Sequence, residues 1–237
     1  MATLTRRSAV LLDALGTLVE LEPPASALVQ ELRVRLGMEV SIAEAERAIA
    51  AEIAYYRAHL DEGRDETSLA GLRRRCAQVL AEHLPGAPDS EAGVEPMAAA
   101  LLAALRFRAY PDAAPALVSL GRRGIRLVVV SNWDVSLPGV LERVGLAVHL
   151  HAVVTSAEVG ARKPARLIFE RGLALAGVTA QCAVHVGDGL EEDVAGALAA
   201  GIAPVLIARG GAPRGTRQRV PAGVLCIRSL NELTDLV

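Results

Sequence analysis

The chain has 237 residues, of which 52% are hydrophobic, 22% charged and 3% aromatic. That apolar content excludes a disordered chain and suits one large domain, or a core with a smaller insert. A net charge of −2, from 25 basic and 27 acidic residues, gives no basic field for nucleic acid, and the scarcity of aromatics leaves few platforms for stacking bases.

Arg6 and Arg7 followed by the apolar run 8–12 have the outline of a twin-arginine export signal, but Asp13 cuts that run after five residues. The segment therefore reads as a buried parallel strand with a basic lead-in, stopped by a loop containing Gly16. No stretch approaches the roughly 18 apolar residues of a membrane span. Cys76, Cys182 and Cys226 are widely spaced and form no C-x-x-C pair. They argue against a disulfide framework or a zinc site and fit a reducing cytoplasm.

From about residue 23 to 108 the pattern is helical. Leu28, Leu32 and Leu36 mark a short first helix. Ile42, Ala45, Ile49, Ile53, Tyr56 and Leu60 draw one apolar face, opened by a capping box of Ser41 and Glu44. Leu69, Leu72, Cys76 and Val79 repeat the spacing, as do Ala98, Leu101, Leu102 and Leu105. Four helices without a clear strand predict a small all-helical module.

After Tyr110-Pro111-Asp112 helix and strand alternate. Strands are expected at 125–130, 152–155, 182–186, 204–207 and 224–227, with helices at 116–120, 138–144, 165–176 and 191–200 and a last one opened by Ser229 and Glu232. The 209–219 segment, rich in Gly, Pro and Arg, reads as a mobile loop. Such alternation implies an α/β fold with a parallel sheet. Because the first strand precedes the helical module and the others follow it, residues 1–19 and 109–237 form the core and residues 20–108 are inserted.

In open parallel sheets, functional groups gather at the carboxyl ends of strands. The polar residues expected there are Asp13 and Thr17, Ser131 and Asn132, Lys163, and Asp188 and Asp193. Lys163 stands out because every other basic residue is Arg. Carboxylates, one lysine and hydroxyls suit a nucleophilic carboxylate working with a hard cation held by oxygen ligands. His185, inside an apolar strand, reads as structural. Trp133 reads as packing, with a substrate contact as the alternative, and Arg57 as a candidate substrate clamp.

The stretch Leu11-Leu12-Asp13-Ala14-Leu15-Gly16-Thr17-Leu18 resembles the first motif of the haloacid dehalogenase-like (HAD) hydrolases, whose phosphatases read D-x-D-G-T. Val129-Val130-Ser131-Asn132 resembles the second motif, and Arg162-Lys163-Pro164 with Ile168-Phe169 the third. His185-Val186-Gly187-Asp188 with Asp193 and Gly196-Ala197 resembles the fourth. The order and spacing agree over nearly the whole chain, with an insert of suitable size between the first two motifs. The resemblance implies a Rossmann-like HAD core with an inserted four-helix cap that closes over the site and selects the substrate. It also implies roles for individual residues. Asp13 attacks phosphorus and forms an aspartyl-phosphate. Mg²⁺ is held by Asp13, the backbone carbonyl of Leu15 and Asp188, with support from Asp193. Lys163 holds Asp13 and the phosphate, and Thr17, Ser131 and Asn132 bind phosphate oxygens.

One position departs from that pattern. The second Asp of the motif, which protonates the leaving group and then activates water, is replaced by Leu15. A lost general acid/base costs about 10²–10⁴ in rate. The expectation is therefore a cytoplasmic, Mg²⁺-dependent phosphatase-like hydrolase acting on a small phosphorylated molecule. Its substrate either needs no proton on the leaving group or receives one from the cap. No nucleic-acid or membrane partner is expected, and the chain is expected to be a monomer or homodimer. Two alternatives stay open. A metal-independent 2-haloacid dehalogenase needs no such proton, but that branch typically carries an aromatic residue where Leu15 stands and differs from the metal-type Gly187-Asp188. The other is a non-hydrolytic phosphate- or partner-binding protein.

Overall fold

The computed structural model describes residues 7–87, 91–210 and 220–236. The chain falls into two compact units, one of Met1–Glu20 with Ala109–Val237 and the other of Leu21–Arg108. The expected loop at 211–219 lies outside the described residues.

In the first unit the apolar runs become parallel strands: β1 (Ala9–Leu12), β4 (Arg126–Ser131), β5 (Ala152–Thr155), β6 (Ala183–Gly187), β7 (Ala203–Ile207) and β8 (Leu225–Ile227). They form one sheet in the order β5-β4-β1-β6-β7-β8, with β1 in the middle. This is the α/β class that the alternation predicts. The strands are short and nearly continuous in Val, Leu, Ile and Ala because β1, β4 and β6 are buried along almost their whole length. Register places Leu12 beside Val129 of β4 and Val186 of β6, so the three strands end within two residues of one another. The chain leaves β1, adds strands on one side, and then crosses to the other. The carboxyl end of β1 is thus the switch point of the sheet, where open α/β folds hold their ligands.

The two-residue period sorts the strand residues by face. Ala9 and Leu11, Val128 and Val130, Val154 and Ala183 meet Ile168, Phe169 and Leu173 of helix α8 (Arg166–Ala176). At Gly172 of that helix a Cβ would lie 2.7 Å from Val130 Cγ2, so only glycine lets α8 pack this close.

Two differences from the sequence reading have local causes. Strands β2 (Val19–Leu21) and β3 (Phe107–Ala109) pair in a two-stranded sheet at the two chain crossings, within a region expected to hold no strand. At three residues each, neither is long enough to display an alternating pattern. The helix expected over 191–200 is instead a turn of π-helix, Leu190–Ala195, followed by helix α9 (Gly196–Ala199). The amides of Asp193 and Val194 both bond to the Gly189 carbonyl there.

The second unit is built on four helices, α1 (Ala25–Leu36), α2 (Ile42–His59), α3 (Glu66–Glu82) and α4 (Glu91–Ala104). Ser41 and Glu44 form the expected capping box. A second box, of Asp65 and Ser68, opens α3. The core holds Leu28, Leu32, Leu72, Leu80, Met97 and Leu101.

Among these apolar side chains α2 buries a carboxyl, Glu52, at 3% exposure. Burial raises its pKa to about 7, against the opposing pull of a hydrogen bond with Cys76. Glu52 therefore titrates higher in the folded chain than in the unfolded one. Its ionisation costs nothing below the unfolded value of 4.5, costs progressively more as pH rises toward 7, and the full amount above that. Glu52→Gln is expected to stabilise the protein at pH 8 by about 3 kcal/mol, and to change its melting temperature little at pH 4. Thermal melts of both proteins across that range check the sign.

Candidate active site

The site forms where β1, β4 and β6 end. Asp13 follows β1, and its amide donates to the Val186 carbonyl of β6 (2.9 Å), which fixes the start of the next loop. That loop folds on the Ala14 carbonyl, which accepts from the amides of Leu18 (2.8 Å) and Val19 (2.9 Å). Gly16 turns it with φ +89°, a backbone angle that disfavours other residues. A Cβ there would lie 2.3 Å from Asp188 Oδ2, so glycine also admits Asp188 to the loop after β1.

Lys163 is buried to within 1% of its side-chain area and donates through Nζ to Asp13 Oδ1 and Asp193 Oδ1, both at 2.6 Å. Ser131 at the end of β4 donates a third bond, Oγ to Asp13 Oδ1 at 2.9 Å. Burial works against the lysine charge, but the attraction of Asp13 and Asp193, with their hydrogen bonds, overcomes it and raises the ammonium pKa. Burial likewise opposes the Asp193 charge, and Lys163 and His185 outweigh it, holding Asp193 well below the usual carboxylate range. The lysine is aimed by its backbone. Asn132 accepts from the Lys163 amide (2.7 Å) and donates to its carbonyl (3.1 Å).

Asp193 arrives from the π-turn. Its Oδ2 accepts from the Gly189 amide at 2.9 Å. A Cβ at Gly187 would lie 2.1 Å from Asp193 Cγ, so the strand has to end in glycine for this carboxylate to pass beneath it. Asp13, Asp188 and Asp193 each present a carboxylate oxygen within 4.8 Å of the others. An all-oxygen donor set of this size suits a hard divalent cation. Thr17 is fully buried. Its hydroxyl has no protein partner among the described residues, and its carbonyl accepts from Arg209 (2.8 Å).

The structure thus brings Asp13, Ser131, Asn132, Lys163, Asp188 and Asp193 to one place. Leu15, half-buried in the loop after β1, carries no group able to move a proton there. Trp133 is buried, with its backbone bracketed by Ser156 Oγ.

Three participants escape a sequence reading. Glu192, which keeps an exposed surface, is hydrogen-bonded to Asn132; partial desolvation raises its pKa, with Lys163 pulling the other way. Arg209, which reads as part of a mobile loop, is pinned by Asp112 and stacks 3.9 Å over the Tyr110 ring while holding the Thr17 carbonyl. His185 contacts Asp193 directly. For His185 a signal existed. It shares a strand face with Gly187, the face that the following turn must cover.

The model of the haloacid dehalogenase-like hydrolase family matches residues 8–201. The ribulose-1,5-bisphosphate 5-phosphatase of Halopiger xanaduensis is 38% identical over 135 residues, 54% of this chain and 56% of that protein. The chain spans about half the length of the curated relatives it matches. Among solved structures, a HAD phosphatase from Thermococcus onnurineus superposes with TM-score 0.63 and 26% identity, covering 96% of both chains. L-2-haloacid dehalogenase from Xanthobacter autotrophicus, with chloropropionic acid covalently bound, gives TM-score 0.66 at 21% identity, over 97% of this chain and 98% of that one. That likeness is one of fold alone.

Removing the lysine charge leaves two buried carboxylates facing each other. Lys163→Met is expected to destabilise the protein by about 3–5 kcal/mol at neutral pH. Because Asp193 titrates below its unfolded value, its contribution exists above the ordinary carboxylate range and is lost as pH falls. The gap between variant and native melting temperatures should therefore narrow below about pH 4.

Proposed function

Since the chain belongs to the haloacid dehalogenase-like hydrolases, with residues 8–201 matching the family, we propose that it is a Mg²⁺-dependent phosphatase acting on a small phosphorylated molecule. The observation that carries this reading is the group at the strand ends: Asp13 bonded to Lys163, with carboxylate oxygens of Asp188 and Asp193 within 4.8 Å. A carboxylate can approach a phosphate dianion only if their repulsion is offset. Lys163 supplies one positive charge at 2.6 Å from Asp13. Asp13, Asp188 and the Leu15 carbonyl, with Asp193 in support, are the residues we assign to Mg²⁺. When bound, the ion neutralises phosphate charge and acts as a Lewis acid. The phosphatase names of the Halopiger and Thermococcus proteins point the same way.

In this reading a carboxylate oxygen of Asp13 attacks phosphorus, and the P–O bond to the leaving group breaks with its electron pair. Water then hydrolyses the aspartyl-phosphate, returning Asp13 and releasing phosphate. Ser131 and Lys163 hold Asp13 in place, and Thr17, Ser131 and Asn132 are assigned to phosphate oxygens. The helical residues 20–108 are the cap that selects the substrate. The absence of a titratable group at Leu15 favours substrates with good leaving groups, such as aryl or acyl phosphates. No helix among the described residues is long and apolar enough to cross a membrane, and Cys76, Cys182 and Cys226 are free thiols. The free thiols support a reducing compartment, and we assign the protein to the cytoplasm on that ground.

Hydrolysis of para-nitrophenyl phosphate tests the reading. Turnover should require Mg²⁺, stop with EDTA and be abolished in Asp13→Asn. Leu15→Asp should raise hydrolysis of an alkyl phosphate by about 10²–10⁴. Silence of both the native protein and Leu15→Asp, or metal-independent release of halide from a 2-haloacid, overturns it.

A further inference from the structure

We propose that His185 is a positioning residue of the site, holding Asp193, and through it Lys163, in the orientation that serves Asp13. The inference rests on the phosphatase reading for its kinetic consequence but not for its structural one. His185 lies in β6 with no exposed surface, between Val184 and Val186. An imidazole in such a place loses its hydration, and an apolar side chain would fill the space at lower cost. What the imidazole adds is one bond: Nε2 lies 2.9 Å from Asp193 Oδ1, the oxygen that also accepts from Lys163 Nζ at 2.6 Å. The ring is set from the other side by Phe169 of α8, edge to face at 5.0 Å between centroids and 88° between planes.

The hydrogen on that bond can be assigned. The Asp193 carboxylate only accepts, so Nε2 is the donor. Nδ1 is buried and has no partner among the described residues. A hydrogen there would be an unsatisfied buried donor, so Nδ1 carries the lone pair. His185 is thus a fixed donor. Asp193 receives three bonds, from His185, Lys163 and the Gly189 amide, and the chain His185–Asp193–Lys163–Asp13 runs unbroken to the proposed nucleophile. With the imidazole bond gone, the carboxylate keeps the lysine on Oδ1 and the Gly189 amide on Oδ2, but nothing opposes the pull of the lysine on Oδ1, and a tilt about Cβ–Cγ draws Nζ away from Asp13.

The sequence offers a direct probe. Lys163 is the one lysine in the chain, so protein grown with ¹⁵N-lysine gives a single Nζ resonance. The test compares His185→Phe, which keeps a ring but no donor, with His185→Gln, whose side-chain amide can reach the Nε2 position. The expected result is an Nζ resonance that shifts and exchanges faster with water in His185→Phe and returns toward native in His185→Gln, with no metal or substrate present. With para-nitrophenyl phosphate and Mg²⁺, kcat should fall about tenfold or more in His185→Phe and recover in the Gln variant, with KM little changed. An unshifted Nζ signal in folded His185→Phe overturns the proposal, as does a kcat loss of equal size in both variants. If His185→Phe does not fold, His185→Asn, whose amide is too short to reach Asp193, replaces it under the same criteria. Should the native protein hydrolyse no phosphate ester, the Nζ resonance still decides the positioning role while the phosphatase reading falls.

Discussion

Everything at the carboxyl end of the sheet depends on one buried cation. Lys163 Nζ sits between Asp13 and Asp193, 150 and 30 residues away in sequence, with nearly no exposed surface. Desolvating three charges is expensive, and mutual attraction repays it only when the geometry is good and the remaining polar atoms are bonded. Here Ser131 adds a second bond to Asp13 Oδ1, the Gly189 amide occupies Asp193 Oδ2, and Asn132 clamps the lysine backbone on both sides. Four segments of chain must converge for this one pair of bonds to form, so the ion triad ties β1, β4, the loop before α8 and the π-turn together.

Backbone economy makes the convergence possible. Asp188 and Asp193 leave the same strand end five residues apart, yet their carboxylates approach one another and Asp13. A regular helix after β6 would turn Asp193 through a different angle. The π-turn and the missing side chains of Gly16 and Gly187 leave room for both carboxylates, each within a distance that a Cβ would forbid. The glycines are therefore part of the electrostatics, because they set how closely the negative groups crowd around the lysine.

Much of this was legible in the sequence, for identifiable reasons. A parallel strand buried on both faces writes itself as an uninterrupted apolar run, and residues 152–155 read as a strand with the bounds that β5 has. Asp13, Ser131 and Asp188 are visible because each is a polar residue just past such a run, and Lys163 because it is the one lysine of the chain. The capping boxes at Ser41 and Ser229 announced their helices by spacing alone. What stayed hidden depends on a contact across sequence. Glu52 looks like any acidic residue on an amphipathic helix until α3 packs against it and covers the carboxyl. Arg209 sits in a Gly- and Arg-rich stretch and is distinguished only by meeting Asp112, Tyr110 and the Thr17 carbonyl. His185 looked structural because period-two alternation tells which face it occupies but not what the next turn will lay over that face.

Under the phosphatase reading, a leucine where an acid would manage the proton changes what the rest of the site has to do. In a site with two carboxylates at the nucleophile loop, one attacks while the other manages the proton, and the leaving group can be a poor one. Here the second task has no owner in that loop. The two groups bonded into the triad with Asp13 are poor substitutes. Asp193 is held far into its ionised form by Lys163 and His185, so it is a poor acid at neutral pH. Lys163 is held in its charged form by Asp13 and Asp193 and cannot readily give up a proton without breaking the triad. The network that holds Asp13 in place is thus the one least able to supply a proton. Under the phosphatase reading, such a site retains nucleophilic power and gives up leaving-group assistance. Its substrates are then sorted first by the acidity of the alcohol they release, and only afterwards by shape.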